Sequence, residues 1–241
     1  MEALVLAIPE IESRTDRPVT LVGGLAVLCR LGTAYRVTSD LDTAHRRGPG
    51  EQRQLELLIA SGARAAGPSG VRIPTPRGEV QVDILEVADL ELAEPPEDPT
   101  DRLHVMAHAW AVDTATPMSI EVFNTDASSE PTIQRVRVAS PGSLIAMKLQ
   151  AIMNRPAAKE GTDLLDIVQL TLDPVTGPPA RAELREAGAR IRQDAALHAR
   201  KWFVDQRVNT VQRINAVSPG DEIDMDTVGL VADLLLGELE Q

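Results

Sequence analysis

Along the first 140 residues the apolar positions come in short runs separated by turn residues. Beyond Ser140 they recur at the three- to four-residue spacing of helices. Residues 3–11 predict a short helix, 19–22 a strand leading into Gly23-Gly24, and 25–31 a buried helix that Gly32 is placed to end. Residues 36–43 follow as a strand, 45–50 as a basic loop, and 51–61 as a helix with Leu55, Leu58 and Ile59 on one side. Residues 71–73 and 79–85 read as short strands flanking the turn chemistry of Pro74 to Gly78. In the second of these, Val80, Val82 and Ile84 alternate with Gln81, Asp83 and Leu85, which puts Asp83 on the face opposite the valines. Residues 87–100, acidic and proline-rich, read as a loop, 102–112 as a helix, and 119–123 and 133–138 as two further strands.

Ser140 and Pro141 form an N-cap and first-turn pair for a helix over 142–154, which Pro156 should stop near Arg155. Further helices are expected over 160–172, over 180–215, and from a cap at Asp226 to Leu239. The chain is therefore expected to divide near Ser140 into a mixed α/β region, residues 1–139, and an all-helical region, residues 140–241.

Composition changes this picture in few places. Aromatic residues are only 2% of the 241, so the core must be built from Leu, Val, Ile and Ala. Cys29 stands alone, which excludes an intramolecular disulfide and a cysteine-based zinc cage. No run approaches a membrane span and the N-terminus lacks a signal-peptide pattern, so a cytoplasmic protein without a membrane partner is expected. A formal charge of −12 argues against broad, nonspecific coating of nucleic acid, and no DNA partner is expected. The charge is segregated, however, because residues 180–216 carry eight basic and four acidic side chains. If that segment is one helix, Arg181, Arg185, Arg192, Arg200, Arg207 and Arg213 share a side and could track a phosphate backbone. The competing reading is a solvated face whose arginines form ion pairs.

Three constellations could carry chemistry. Asp40 and Asp42 alternate on a strand and so share a face; with Asp83 on a neighbouring strand, three carboxylates would suit one or two hard cations such as Mg2+. The plainer alternative for the pair is a solvated strand face. Gly23 and Gly24 before a helix allow close approach of a phosphate to free N–H groups, or simply make a tight turn. Lys148 and Arg155 lie seven apart, and Asp163 and Asp166 three apart, so these four would bind a triphosphate or pair between neighbouring helices. His104 and His108 have the spacing of a zinc pair but lack a third ligand, and a solvated or packed pair is the expected outcome.

In order and spacing, Gly23-Gly24, Arg36-Val-Thr38-Ser-Asp40-Leu-Asp42, the Val-Asp83-Ile strand and the segment from Lys148 to Leu170 resemble the AbiEii/AbiGii group of DNA polymerase β-like nucleotidyltransferases. These are the toxins of type IV toxin–antitoxin pairs, the MenT-like enzymes included. The resemblance implies an α+β fold, a nucleotidyltransferase-type mixed sheet with flanking helices followed by an all-helical C-terminal region. It makes Asp40 and Asp42 metal ligands, with Asp83 matching the third carboxylate of the superfamily. Lys148 becomes the triphosphate contact and Asp163 a catalytic acidic residue. Gly23, Gly24, Thr38, Ser39, Arg155 and Asp166 complete the nucleotide-binding set. The family often has Lys or Arg directly before the aspartate matched to Asp163; here that position is Thr162, which leaves Asp163 and Asp166 both open for the role.

The activity so implied is Mg2+-dependent transfer of an NMP unit from an NTP to an acceptor hydroxyl. RNA, a tRNA 3′ end in particular, is the expected acceptor, and a cognate antitoxin the expected protein partner. The competitors are a small-molecule nucleotidyltransferase of the aminoglycoside-modifying kind, for which an acidic cleft would suit a cationic substrate, and a non-catalytic relative that binds nucleotide or a partner.

Overall fold

The structure, a computed structural model, describes residues 1–123, 130–155, 157–218 and 222–241; the expected break at Pro156 lies outside the described residues. The chain forms two compact units, Met1–Ala93 with His108–Ala139, and Glu94–Ala107 with Ser140–Gln241. Among the described residues no helix is long and apolar enough to cross a membrane.

The first unit contains α1 (Glu2–Thr15), β1 (Thr20–Leu21), α2 (Gly23–Leu31), β2 (Asp40–Arg47), α3 (Gln54–Ala60), β3 (Arg64–Ala65), β4 (Gly70–Thr75), β5 (Gly78–Ala88) and α4 (Asp89–Ala93). Helix α5 (Pro99–Asp113) gives its start to the second unit and its end to the first, where β6 (Thr116–Val122) and β7 (Thr132–Val138) follow. The seven strands make one mixed sheet in the order β3-β4-β5-β2-β1-β7-β6. β2 runs parallel to β5 and β1 parallel to β7, and the other pairs are antiparallel. This is the α+β class expected from the sequence.

Alternation explains how the sheet buries one face. Leu41 on β2, Val71 and Ile73 on β4, and Val80, Val82 and Ile84 on β5 are buried, while Asp40, Asp42, Gln81 and Asp83 are only partly covered. Helix α1 packs on β4, β5 and β7 and buries Leu4, Ile8 and Ile11, the i, i+4, i+7 stripe of an amphipathic helix. This core contains no aromatic ring: Tyr35 and Trp110 are half-buried and Phe123 is exposed.

The second unit is helical. Helix α6 (Pro141–Ala151), continued by a 3-10 turn at Ile152–Asn154, is buried from Pro141 to Gln150 and packs against α7 (Ala157–Leu172), α8 (Gly177–Glu186) and α9 (Ala189–Arg200). A π turn at Lys201–Asp205 leads to α10 (Arg207–Val217), and α11 (Met225–Leu239) closes the chain. Trp202 and Phe203, on the π turn, are buried, with the Arg213 guanidinium 5.5 Å from the Trp202 ring centre.

Several expectations need correction. The strand expected over 36–43 begins only at Asp40 and runs on through the expected basic loop to Arg47. Continuous pairing with β5, from Asp40 opposite Gln81 to Arg47 opposite Ala88, supplies the ladder. Arg46 and Arg47 are accommodated there by Asp89 at 2.7 Å and Glu86 at 2.9 Å. The expected loop over 87–100 contains α4 and the start of α5, whose first turn is capped by Asp98 Oδ1 accepting from the Thr100 and Asp101 N–H groups at 2.8 and 3.1 Å. The last helix is capped by Asp224, which accepts from Thr227 N at 2.8 Å, rather than by Asp226.

The largest correction concerns residues 180–215, which form not one helix but α8, α9, the π turn and α10. The break at Ala187 and Gly188 and the widened turn at 201–205 destroy the common face on which an arginine row depends. The arginines are instead engaged locally. Arg181 Nη1 donates to Thr171 O at 2.8 Å, Arg185 pairs with Glu238 at 2.6 Å, and Arg192 donates to Arg185 O at 2.7 Å. Arg200 pairs with Glu240, Arg213 with Glu160, and Arg207 Nε donates to Met225 O at 2.8 Å. The competing reading, arginines in ion pairs, holds for Arg185, Arg200 and Arg213, while Arg181, Arg192 and Arg207 donate to backbone carbonyls.

Two glycines give opposite outcomes for one substitution. A Cβ at Gly161 on α7 would fall on the carbonyl oxygen of Arg213 in α10, so Gly161→Ala should cost about 1–3 kcal/mol. A Cβ at Gly237 on α11 meets nothing within 4 Å, so Gly237→Ala should stabilise by about 0.5–1 kcal/mol. Urea unfolding of both variants checks the two signs.

Candidate active site

Strand β2 carries Asp40 and Asp42 on the face opposite Leu41, and its parallel pairing with β5 sets Asp42 directly beside Asp83. Each of the three carboxylates offers an oxygen within 4.8 Å of the other two, and among the described residues this is the only such group of three or more His, Cys, Asp or Glu side chains. Gly23 and Gly70 make the room. Gly23, the first residue of α2, has a φ of +63°, and a Cβ there would fall on the Asp42 carboxylate. Gly70 lies opposite Asp83 in the β4–β5 register, and a Cβ there would sit 2.6 Å from Asp83 Oδ1 and 2.5 Å from Ala66 O. The strand end is pinned by Val22 N donating to Asp42 O at 3.1 Å.

The chain from Gly32 to Ser39 returns from α2 to β2 without regular structure. Thr38 is buried, and its hydroxyl lies 3.4 Å from both the carbonyl oxygen and Oδ1 of Asp40, so it steadies the first aspartate. Ser39 is exposed. Arg36 folds back over the start of α2: a Cβ on Gly24 would stand 2.8 Å from Arg36 Nη2 and 2.9 Å from Thr38 Oγ1. Gly70 and the guanidinium of Arg36 are the parts of this region that sequence reasoning did not single out. Gly70 is visible as a glycine opening a strand opposite Asp83, but only once the β4–β5 register is known.

The donor set fits a hard divalent cation. Magnesium takes oxygen ligands at about 2.1 Å, which places neighbouring ligand oxygens roughly 3–4 Å apart, and three carboxylate oxygens already gathered within 4.8 Å need little more than side-chain rotation to reach that spacing. No thiolate or imidazole belongs to the group, so softer metals have no preference for it.

In the second unit Lys148, Arg155, Asp163 and Asp166 come together. Lys148 Nζ is 2.5 Å from Asp163 Oδ1 and 2.7 Å from Asp166 Oδ2, and Arg155 Nε is 3.0 Å from Asp163 Oδ2. Lys148, Asp163 and Asp166 are buried, and only Arg155 keeps substantial exposure, 34% of its side chain. Arg155 follows the 3-10 turn in an extended conformation, φ −93° and ψ 151°, which is how it reaches Asp163 from outside α6. Two cationic side chains face two anionic ones, so the formal charge of the cluster is balanced. Burial alone would pull the Lys148 pKa down, but the Asp166 and Asp163 carboxylates outweigh it and raise it above the ordinary 10.5. The ion pair between neighbouring helices weighed from the sequence is thus present. His104 Nδ1 lies 3.4 Å from Gln150 Oε1, and neither it nor His108 joins a metal-capable group.

A mixed sheet that gathers three carboxylates beside a glycine-opened helix is the apparatus of proteins that handle a metal-bound phosphate substrate. The chain belongs to the family described as nucleotidyl transferase AbiEii toxin, type IV TA system, whose model matches residues 6–223. Membership makes the chain a nucleotidyltransferase of a toxin family and implies an NTP substrate and an antitoxin partner. Among solved structures it is similar to an antigenic nucleotidyltransferase-like protein from Paracoccidioides brasiliensis, at 17% identity over 90% of this chain and 95% of that one, with a TM-score of 0.46. No curated protein matches the chain.

Removing Lys148 leaves two buried carboxylates without their shared cation, so Lys148→Ala should cost about 3–5 kcal/mol at pH 7. Because folding raises the Lys148 pKa, its ion pairs contribute in full below about pH 10.5 and are lost as pH rises through the folded-state value. Denaturant unfolding at several pH values should therefore show a gap between wild type and variant that is flat to about pH 10 and narrows above it.

Proposed function

We propose that the protein is a Mg2+-dependent nucleotidyltransferase that moves an NMP unit from an NTP to an acceptor hydroxyl and releases pyrophosphate. The observation that carries this reading is the convergence of Asp40, Asp42 and Asp83 within 4.8 Å on adjacent strands, in a chain of the AbiEii family. Asp40 and Asp42 would hold Mg2+, with Asp83 as the third ligand. When bound, the cation lowers the charge on the triphosphate and aids departure of pyrophosphate. Gly23 and Gly24 leave the backbone N–H groups at the start of α2 open to phosphate, and Thr38 and Ser39 complete that wall. The acceptor oxygen forms a bond to the α-phosphorus as the bond to the bridging oxygen of the β-phosphate breaks. Asp83 or Asp163 takes or orients the acceptor proton.

Lys148, Arg155, Asp163 and Asp166 are the second set of residues that the reaction requires in this reading. With its ammonium held between two carboxylates, Lys148 keeps Asp163 and Asp166 in place, and Arg155 is the cation of the set with exposure enough to meet a phosphate. The acceptor assigned is RNA, a tRNA 3′ end, and the biological outcome growth inhibition relieved by the antitoxin. Both extend the resemblance to toxin nucleotidyltransferases, and the arginines of residues 180–216 add no support to either. A cationic small-molecule acceptor is the second reading, favoured by the charge of −12 and by those arginines being engaged in local pairs.

Incubating the protein with Mg2+, each radiolabelled NTP in turn, and total RNA or an aminoglycoside panel distinguishes the two acceptors. Label should pass to RNA and fall by at least about 100-fold for Asp42→Ala, given that the variant loses a metal ligand. Transfer to no acceptor, together with unchanged toxicity of Asp42→Ala in cells, would overturn both enzymatic readings. Gly23→Ala tests the triad without removing a carboxylate. By pushing on Asp42 it should weaken Mn2+ binding, followed by electron paramagnetic resonance, about tenfold or more while leaving the chain folded.

A further inference from the structure

We propose that Arg72 binds the phosphodiester backbone of the acceptor next to its reacting hydroxyl, so that the acidic face of the first unit selects RNA over a cationic small molecule. The inference rests on the nucleotidyltransferase reading and adds to it the side from which the acceptor enters. Strand order carries the first step. The phosphate wall of that reading lies at the start of α2, which follows β1, and the sheet continues away from it through β2, β5, β4 and β3. An in-line displacement sets the attacking oxygen opposite the departing pyrophosphate, so the acceptor crosses Asp83 and lies over β5 and β4.

Cross-strand register decides what that surface presents. Gly70 and Arg72 on β4 stand opposite Asp83 and Gln81 on β5, and Arg64 on β3 stands opposite Arg72. Opposed residues share a face, so Arg64, Arg72, Gln81 and Asp40 form one row across the sheet, next to the row of Gly70, Asp83 and Asp42. Arg72 and Asp83 are thus diagonal neighbours, about 7–8 Å apart at the backbone. Val71 and Ile73 are buried on the other face, while Arg72 is exposed. Like charges directly opposite one another destabilise a strand pair. Arg64 is relieved by Glu79 at 2.6 Å, but the Arg72 side chain has no hydrogen-bond or ion-pair partner among the described residues. Gly70, two residues before it, puts no side chain over the approach to Asp83. A hydroxyl held at Asp83 brings the adjoining phosphate of the acceptor strand within reach of Arg72, whose planar fork takes two phosphate oxygens at once. A polycation entering by the same path meets an unpaired cation instead.

Two measurements on the full chain test this: transfer from the preferred radiolabelled NTP to purified bulk tRNA with Mg2+, and anisotropy of 5′-fluorescein-labelled tRNA without NTP. Arg72→Gln keeps the aliphatic stem and removes the charge. It should raise KM for tRNA and weaken tRNA binding about 5- to 30-fold, and change KM for the NTP less than about twofold. The slope of log affinity against log salt should fall by about 0.7, the share of one phosphate on a single strand. Arg72→Lys should recover part of the loss, since it restores the charge without the fork. Arg190→Ala, which removes an exposed arginine of α9, should match wild type in every readout. An unchanged KM for tRNA in Arg72→Gln, equal rises in both KM values, or an equal loss from Arg190→Ala would overturn the assignment while leaving nucleotidyl transfer standing. So would label passing to an aminoglycoside and not to tRNA. Failure of wild type to transfer label to any acceptor would instead remove the nucleotidyltransferase reading, and this inference with it.

Discussion

The register between β2 and β5 is the constraint on which the first unit depends. Parallel pairing sets Asp42 beside Asp83 with Asp40 two residues before it on the same face, an arrangement that like charges disfavour. The chain accommodates it by geometry: Gly23 and Gly70, both without side chains, flank the carboxylates, and partial exposure lets water screen them. A one-residue slip of β2 would turn both aspartates into the aliphatic core and bring Leu41 out, so burial and the acidic face enforce the same register.

The two acidic centres differ in kind. Around Lys148 the charges balance within hydrogen-bonding distance, and burial strengthens the pairing, so the cluster is electrostatically complete. The triad gathers three carboxylate oxygens about one point, and that concentration of hard anionic donors is what gives a divalent cation and its phosphates reason to bind. The first arrangement stabilises, the second recruits, and the nucleotidyltransferase reading draws on both.

Much of this was legible in the chain. Alternation along residues 79–85 placed Asp83 away from the valines, the DxD spacing placed Asp40 and Asp42 on one face, and the i, i+3 spacing brought Asp163 and Asp166 to one side of a helix. Local pattern is sufficient for these because each depends on one element's periodicity. The features that were not legible depended on partners distant in sequence. The strand continues through Arg46 and Arg47 only because Asp89 and Glu86 receive them, and Gly70 matters only through its position opposite Asp83. The supposed long helix over 180–215 failed for a different reason: Gly188 interrupts a pattern whose apolar spacing is helical on both sides, and the widened turn at 201–205 separates α9 from α10.

The scarcity of aromatic rings has a practical side. Trp110 sits half-buried in the part of α5 that belongs to the first unit, and Trp202 is enclosed in the second, beneath the Arg213 guanidinium. Each unit thus carries one indole, half-buried in the first and buried in the second. Replacing either indole by phenylalanine would leave a chain whose indole emission, excited selectively over Tyr35, reports on a single unit, so the cooperativity of the two can be read optically without any added label.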